Sequence, residues 1–415
     1  MTTTEPSPAS PPLPTGLAMT PLDPAFREDP HPILDVLRER EPVHYNALLG
    51  TWMLTRHEDV EAILRNRDLS VDPRKSSDDN IMRRLRMQRM EENKREPSML
   101  FLDPPDHDRL RGLVNKAFTP KAVDAMGPRI QQVADELLDK LEGRGEFDLI
   151  ADFSAPLPTI VIAEMLGVDP ADQKRFKAWS DVVVNGLNPF LSDEERAPVE
   201  AAGKELDAYL SAAVAERRAN RRTDLISGMI EAEEAGQQLT DAEIVTMCGL
   251  LLLAGNLTTT DLIGNGVLAL LRNPAEMEKL RADPSLIRNA VEEMLRYDPP
   301  VTQSGRLALE AMEVGGCPVQ AGQNLGVSLA GANHDPAVHA DPHRFDITRG
   351  EINHLSFGGG RRYCLGAPLA RLEAQIGIGT LVRRFPRLRL ASDAVLQHRG
   401  LPAFRGLLSL PVCAR

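Results

Sequence analysis

The sequence is poor in aromatic residues. Only 4% of its 415 residues are Phe, Trp or Tyr, so the core must be mainly aliphatic, which suits packed helices. Cysteine is also sparse. Cys248, Cys317, Cys364 and Cys413 include no Cys-x-x-Cys pair, which argues against a zinc site or iron–sulfur cluster built from local pairs. Nothing in their spacing suggests a disulfide framework. Basic residues are not in excess: 60 acids face 48 bases, for a net charge of −12. That excludes a general nucleic-acid binder, which needs a basic face to displace phosphate counterions. No apolar run approaches the roughly 18 to 20 residues of a membrane span. The opening Met1-Thr-Thr-Thr-Glu-Pro-Ser-Pro has neither the basic start nor the apolar stretch of a signal peptide. A reduced, cytoplasmic setting is expected, with neither membrane nor nucleic acid as partner.

Hydrophobic residues make up 42% of the chain, enough for a large core. Residues 1–20 read as a flexible tail rich in Pro, Ser and Thr, and 21–415 as a single domain, because no linker or repeat divides them. Helical spacing covers 107–118, 121–142, 152–166, 170–188, 195–220, 224–235, 241–272, 275–282, 285–297 and 365–384. The stretch 241–272 is apolar nearly all round and is expected to run through the protein centre. Short strands and turns follow Pro299-Pro300. The fold class is therefore mainly α with a smaller β-rich part. Residues 76–98, with Met and Leu among many arginines, read either as an amphipathic lid or as a solvated surface helix.

The strongest local signal is Phe357-Gly-Gly-Gly-Arg-Arg-Tyr-Cys-Leu-Gly-Ala-Pro. Glycines allow close backbone approach to a flat ligand and positive φ. A helix start stabilises an anion, so Cys364 is expected as a thiolate. Gly366 leaves room beside the sulfur. A thiolate on an open helix start is a good axial ligand for haem iron.

At these residues the chain resembles the cytochrome P450 family of haem-thiolate monooxygenases, and the resemblance runs from about residue 25 to 412. Phe357, Gly360, Cys364 and Gly366 fill the family's cysteine loop. The resemblance implies the P450 fold, with haem b lying between the central helix and the cysteine-loop helix. It makes Cys364 the iron ligand. Glu293 and Arg296 match the family's Glu-x-x-Arg pair, on one helix face at i, i+3. Arg349, in the segment that resembles the family's meander, completes a structural triad. His107, Arg111 and Arg306 are implied as contacts of the haem propionates, as is Arg362, at a position where bacterial members often carry His.

The central helix departs from the family pattern. Ala254 and Gly255 are expected to open it for oxygen, and Thr258 stands at the oxygen-activating threonine. Leu257, however, replaces the acid that normally helps relay protons. Thr258, ordered water, and either Asp261 or Asn256 are candidates to replace the relay; for Asp261 the alternative is an ion-paired helix residue. The substrate pocket is expected around Leu253, Leu257, Val301, Gln303, Leu401 and Phe404, which suits a mostly hydrophobic small molecule. The expected reaction is hydroxylation with O2 and two electrons from an external ferredoxin and its NAD(P)H-dependent reductase. The donor would dock near Arg361, Arg371, Lys116 and Arg111, some of them internally paired. Two other readings keep the haem: an atypical outcome (oxidative coupling, desaturation or peroxide-driven oxidation) because of Leu257, or a non-enzymatic ligand sensor.

Overall fold

The computed structural model describes residues 13–77, 83, 84, 87, 96–234 and 239–414. The expected lid over 76–98 therefore falls mostly outside the described residues, as does the tail up to residue 12. From Leu13 onward the expected tail is packed. Gly16–Met19 form a 3₁₀ turn, and Met19 is buried against Leu37 and Met53. Burying Met19 removes apolar surface that a free tail would leave in water.

Most helices fall where the 3.6-residue period places them. Asp106–Asn115, Asp193–Ala219, Leu225–Glu234, Pro274–Ala282, Ile287–Tyr297 and Ala367–Arg384 are all helical. The expected helix over 121–142 is two, Pro120–Asp124 and Gly127–Asp139. Pro128 explains the break: it lacks an N–H and suits only a first turn. Pro156 sets the start of Pro156–Leu166 for the same reason. The stretch 170–188 resolves into Gln173–Val183 flanked by 3₁₀ turns.

The central helix is Asp241–Arg272. Its start is a capping box: Thr240 Oγ1 accepts from the Glu243 N–H at 3.2 Å, and Glu243 accepts from the Thr240 N–H at 2.8 Å. By length and composition this helix is apolar enough to cross a membrane, contrary to the reading that no stretch reaches that measure. Its apolar surface is instead covered by Pro156–Leu166, Asp193–Ala219, Ile287–Tyr297 and Ala367–Arg384. Every residue from Thr259 to Leu270 is buried. Between Leu250 and Leu270, exposure returns only at Leu250, Leu253, Ala254, Gly255 and Thr258. The spacing of four through Leu250, Ala254 and Thr258 puts them on one face, which opens a window in an otherwise covered helix.

The strand-rich part is small. Strands β1 (Val43–Asn46), β2 (Thr51–Leu54), β7 (Asn324–Ser328) and β4 (Gln303–Leu307) form a sheet in the order β1-β2-β7-β4. The pair β2/β7 is parallel and the other two are antiparallel. Strands β3 (Glu146–Asp148), β9 (Pro411–Cys413) and β8 (Arg389–Leu390) make a second sheet. The hairpin β5 (Met312–Val314) and β6 (Cys317–Val319) turns on Gly315-Gly316, both at positive φ, as a two-residue hairpin requires.

Candidate active site

The chain from Phe357 to Cys364 is held as a tight loop. The Cys364 N–H donates to Phe357 O at 2.9 Å, and the Gly358 N–H to Leu355 O at 2.8 Å. Gly360 has φ +61, and a Cβ there would lie 3.0 Å from Leu64 O and from Arg65 Cα. Both the conformation and the close approach call for glycine. Cys364 then leads into Ala367–Arg384, and the Gly366 and Ala367 amides hydrogen-bond its sulfur. Of the four cysteines it alone is exposed, and a Cβ built on Gly366 meets no atom within 4 Å. The side chain is thus enclosed behind and open in front.

That enclosure changes the electrostatics expected of Cys364. Burial raises its thiol pKa, outweighing the two amides and the charges of Arg111 and Arg371, which lower it. The helix start alone therefore does not hold a thiolate, because desolvation wins. A metal cation bonded to sulfur supplies the missing opposite charge and deprotonates a thiol outright. The site thus fits a metal-bound sulfur better than a free thiolate.

Four residues expected near the propionates, His107, Arg111, Arg306 and Arg362, line one cavity of about 290 Å³. Arg306 is 6% exposed, and burial and then the Arg362 charge push its pKa down to about 10. Its hydrogen bonds go to carbonyls, Gly305 O at 2.8 Å and Leu64 O at 3.4 Å. Arg111 donates to Tyr363 O at 2.6 Å, and Arg362 to Leu102 O at 2.6 Å and Asp103 Oδ1 at 3.3 Å. His107 Nδ1 lies 2.8 Å from Asp108, and burial lowers its pKa. Asp72 also lines the cavity, but Arg74 holds it at 2.6 Å. A buried guanidinium beside a second one is a good receptor for an anionic group.

On the central helix, Thr258 Oγ1 donates to Ala254 O at 2.7 Å, on the exposed window. Asn256 points elsewhere, contrary to its expected part in a relay. Its carboxamide is buried, donating to Ser180 Oγ at 2.7 Å and accepting from Thr159 at 2.9 Å and Thr260 at 3.4 Å. It ties the central helix to two neighbours. Asp261 is fully buried and ion-paired, taking one bond from Arg399 Nη2 at 2.9 Å while its Oδ2 has no partner among the described residues. Burial raises its pKa to about 7 against the pull of Arg399.

Glu293 and Arg296 are both 0% exposed and form a bidentate pair at 2.7 and 2.8 Å. Arg349 Nε reaches the same carboxylate at 3.2 and 3.3 Å. The spare Arg296 donors meet the carbonyls of Asn333, Pro342 and Arg344, so no charge is left bare. The Asp346 N–H donates to Glu293 at 3.0 Å. The cluster pins the segment before the cysteine loop to the helix Ile287–Tyr297.

The cytochrome P450 family model matches residues 51–394. The chain belongs to the cytochrome P450 family. Among its relatives is cytochrome P450 CYP107DY1 of Priestia megaterium, 43% identical over 89% of this chain and 90% of the relative. Vitamin D(3) 25-hydroxylase of Pseudonocardia autotrophica is 40% identical over 93% of this chain and 94% of the relative. Among solved structures, the bacillaene polyketide synthase cytochrome P450 PksS of Bacillus subtilis superposes with a TM-score of 0.86 at 36% identity, covering 95% of this chain and 99% of that one. P450s are haem-thiolate monooxygenases, so this one is an oxidoreductase of that class.

Around the window, the P450 places Leu257 and Leu401 in one apolar cluster with Val184, and Leu253 and Phe404 pack against it. Val301 bridges to Phe404, and the Thr302 N–H donates to Ala403 O at 2.9 Å. Gln303 is half-buried at the start of β4. Nothing in sequence spacing pointed to Ser180 and Thr159 as the holders of Asn256, or to Arg399 as the partner of Asp261.

Glu373 was missed altogether. It is 2% exposed on the cysteine-loop helix and hydrogen-bonded to Thr259 of the central helix, and burial lifts its pKa to about 8. A signal existed: an acid on the apolar i, i+4 row Leu369–Glu373–Gly377–Leu381. Arg371 differs from its expected docking role. Glu292 takes it in a bidentate pair at 2.7 and 2.8 Å, and its guanidinium lies 4.5 Å from the Phe357 ring centroid. Arg361 lies 3.9 Å from Asp108, and Lys116 is exposed.

Proposed function

We propose that this P450 is a cytoplasmic, haem b-dependent hydroxylase of a mostly hydrophobic small molecule. Its electrons come from an external ferredoxin and an NAD(P)H-dependent reductase. The observation that carries this reading is Cys364, enclosed behind, open in front, and bonded by the Gly366 and Ala367 amides. Haem bound there supplies the oxygen chemistry. Cys364 would bind its iron, the Phe357–Gly366 loop would hold the group, and His107, Arg111, Arg306 and Arg362 would take the propionates. Ala254 and Gly255 leave room for O2. Thr258 holds a proton at Oγ1 within reach of the window, and Asp261 is a further candidate because its carboxyl sits near the neutral range.

The substrate class rests on Leu253, Leu257, Val301, Leu401 and Phe404, with Gln303 as a polar handle. A relative named for hydroxylating vitamin D(3) and a neighbour named for a polyketide synthase support a bulky apolar substrate. The buried Leu257 also favours a second reading, in which proton delivery is altered and products of coupling, desaturation or peroxide-driven oxidation appear.

The first test is the carbon monoxide difference spectrum of the reduced protein. The red-shifted Soret band of thiolate ligation is expected, and Cys364→Ser should abolish it. A secosteroid and macrolide panel should then shift the iron spin state. Product formation with O2 and redox partners, compared with peroxide alone, separates the two outcomes. A parent protein without the thiolate band would sink the Cys364 assignment.

A further inference from the structure

Three histidines from distant parts of the chain meet outside the haem region. His31 opens the helix His31–Arg40, His334 follows the short helix Leu329–Asn333, and His343 lies in the segment leading to Arg349. One ring nitrogen from each lies within 4.8 Å of the other two. The rings of His31 and His334 are 3.9 Å apart centre to centre, and those of His334 and His343 are 5.2 Å apart. We propose that His31, His334 and His343 form a binding site for a divalent transition ion, zinc being the natural occupant, that fastens the N-terminal helix to the segment 334–349.

The hydrogen bonds around the rings support this. His334 is 1% exposed, and its Nδ1 lies 3.2 Å from Ala330 O, so that nitrogen carries the hydrogen and leaves a lone pair on Nε2. That Nε2 is buried without a partner among the described residues, as is His31 Nδ1. Each such orphan carries a desolvation cost that a bond to metal would remove. His343 Nε2 lies 2.8 Å from Asp35 Oδ2, which leaves Nδ1 for a metal. A carboxylate or carbonyl on the far nitrogen of a ligating imidazole is the usual supporting arrangement, and here two of the three rings have one. Burial holds the His31 pKa down near 4 and that of His334 well below its usual value, so both stay neutral at physiological pH.

Size and charge also fit. Three imidazoles with an open fourth position suit zinc, at about 2.0 to 2.1 Å per nitrogen, which puts ligand nitrogens about 3.4 Å apart. No pair needs to close by more than about 1.4 Å, and His343, with 49% of its side chain exposed, has room to move. The local positive charges are already matched: Arg405 pairs with Asp298 at 2.7 Å and Arg296 with Glu293. Asp29 and Asp35 add negative charge beside the rings.

The experiment uses untagged holoprotein, stripped of metal with EDTA, loaded with zinc sulfate and gel-filtered. One zinc per chain is expected, with nitrogen and oxygen ligands and no sulfur in the X-ray absorption spectrum. His343→Gln is at the surface and should fold as the parent does, checked by thermal unfolding and the carbon monoxide spectrum. It should weaken zinc binding about tenfold or more, and Asp35→Asn by a similar factor. No retained zinc, a sulfur ligand, or unchanged affinity in both His31→Gln and His343→Gln overturns the proposal.

Discussion

Glu373 gives the sharpest test of the buried electrostatics, because Glu373→Gln preserves shape while removing ionisation. In the unfolded chain this carboxyl titrates at about 4.3. In the folded protein burial moves it to about 8, and the Thr259 hydroxyl offsets only part of that. The folded state therefore holds its proton more tightly. Glu373 costs nothing below the unfolded pKa, and stability drains away as pH rises towards 8. The slope for one proton is about 1.4 kcal/mol per pH unit. From pH 5 to 8 the parent should lose on the order of 4 kcal/mol that the Gln variant keeps, against a total stability of about 5 to 15 kcal/mol. Urea unfolding of the holoprotein at pH 5.5, 7 and 8.5, followed by circular dichroism, measures this. The variant's lead should grow from about 2 kcal/mol at pH 5.5 to about 5 kcal/mol at pH 8.5. Parallel pH profiles would show that Glu373 is not held neutral by the helix interface, and the reasoning would fail.

Other predictions are simpler. Glu293→Gln leaves the buried Arg296 and the partly exposed Arg349 guanidinium groups without their shared countercharge and should cost about 3 to 5 kcal/mol, read as a lower urea midpoint and lost haem. Arg306→Ala removes a buried cation from the propionate cavity; haem should dissociate faster to apomyoglobin, while the protein's unfolding midpoint changes little. Asn256→Ala orphans the Ser180 hydroxyl, while Thr159 keeps its bond to Ala155 O at 2.7 Å; it should cost about 1 to 3 kcal/mol without changing how protons are coupled to turnover. A rise in uncoupled peroxide in that variant would return Asn256 to the relay.

Much of the architecture was legible because helices leave a periodic trace. The bounds 241–272 and 275–282 were read almost to the residue. The breaks at Pro120, Pro128 and Pro156 blurred the others, since a proline can open a helix or end one. The cysteine loop was legible from its local spacing, and the Glu293–Arg296 pair only through the family resemblance, since i, i+3 spacing alone reads as an ordinary surface pair. The role of Asn256 was not legible, and for Asp261 the ion-paired alternative was legible but its partner was not. A buried polar residue's role depends on what stands opposite, and Ser180 and Arg399 lie far off in the chain. For Arg371 the sequence shows the charge and allows an internal partner, but does not name Glu292. Met19, with Leu13 packed against the same cluster, shows that a few apolar residues are enough to anchor a Pro- and Thr-rich stretch when a matching hollow exists.

The covered central helix has a consequence for how the protein is made. During synthesis Arg272 leaves the ribosome well before Arg384, the end of the helix that finally lies against it. At ordinary elongation rates the delay is roughly ten seconds. For that interval a segment as greasy as a membrane span is only partly sheltered. Its survival as a nascent chain then depends on the Pro156–Leu166 and Asp193–Ala219 helices, already emerged, clasping it first. Mutations that loosen those two early partners should lower yield in the cell more than their effect on the finished protein suggests.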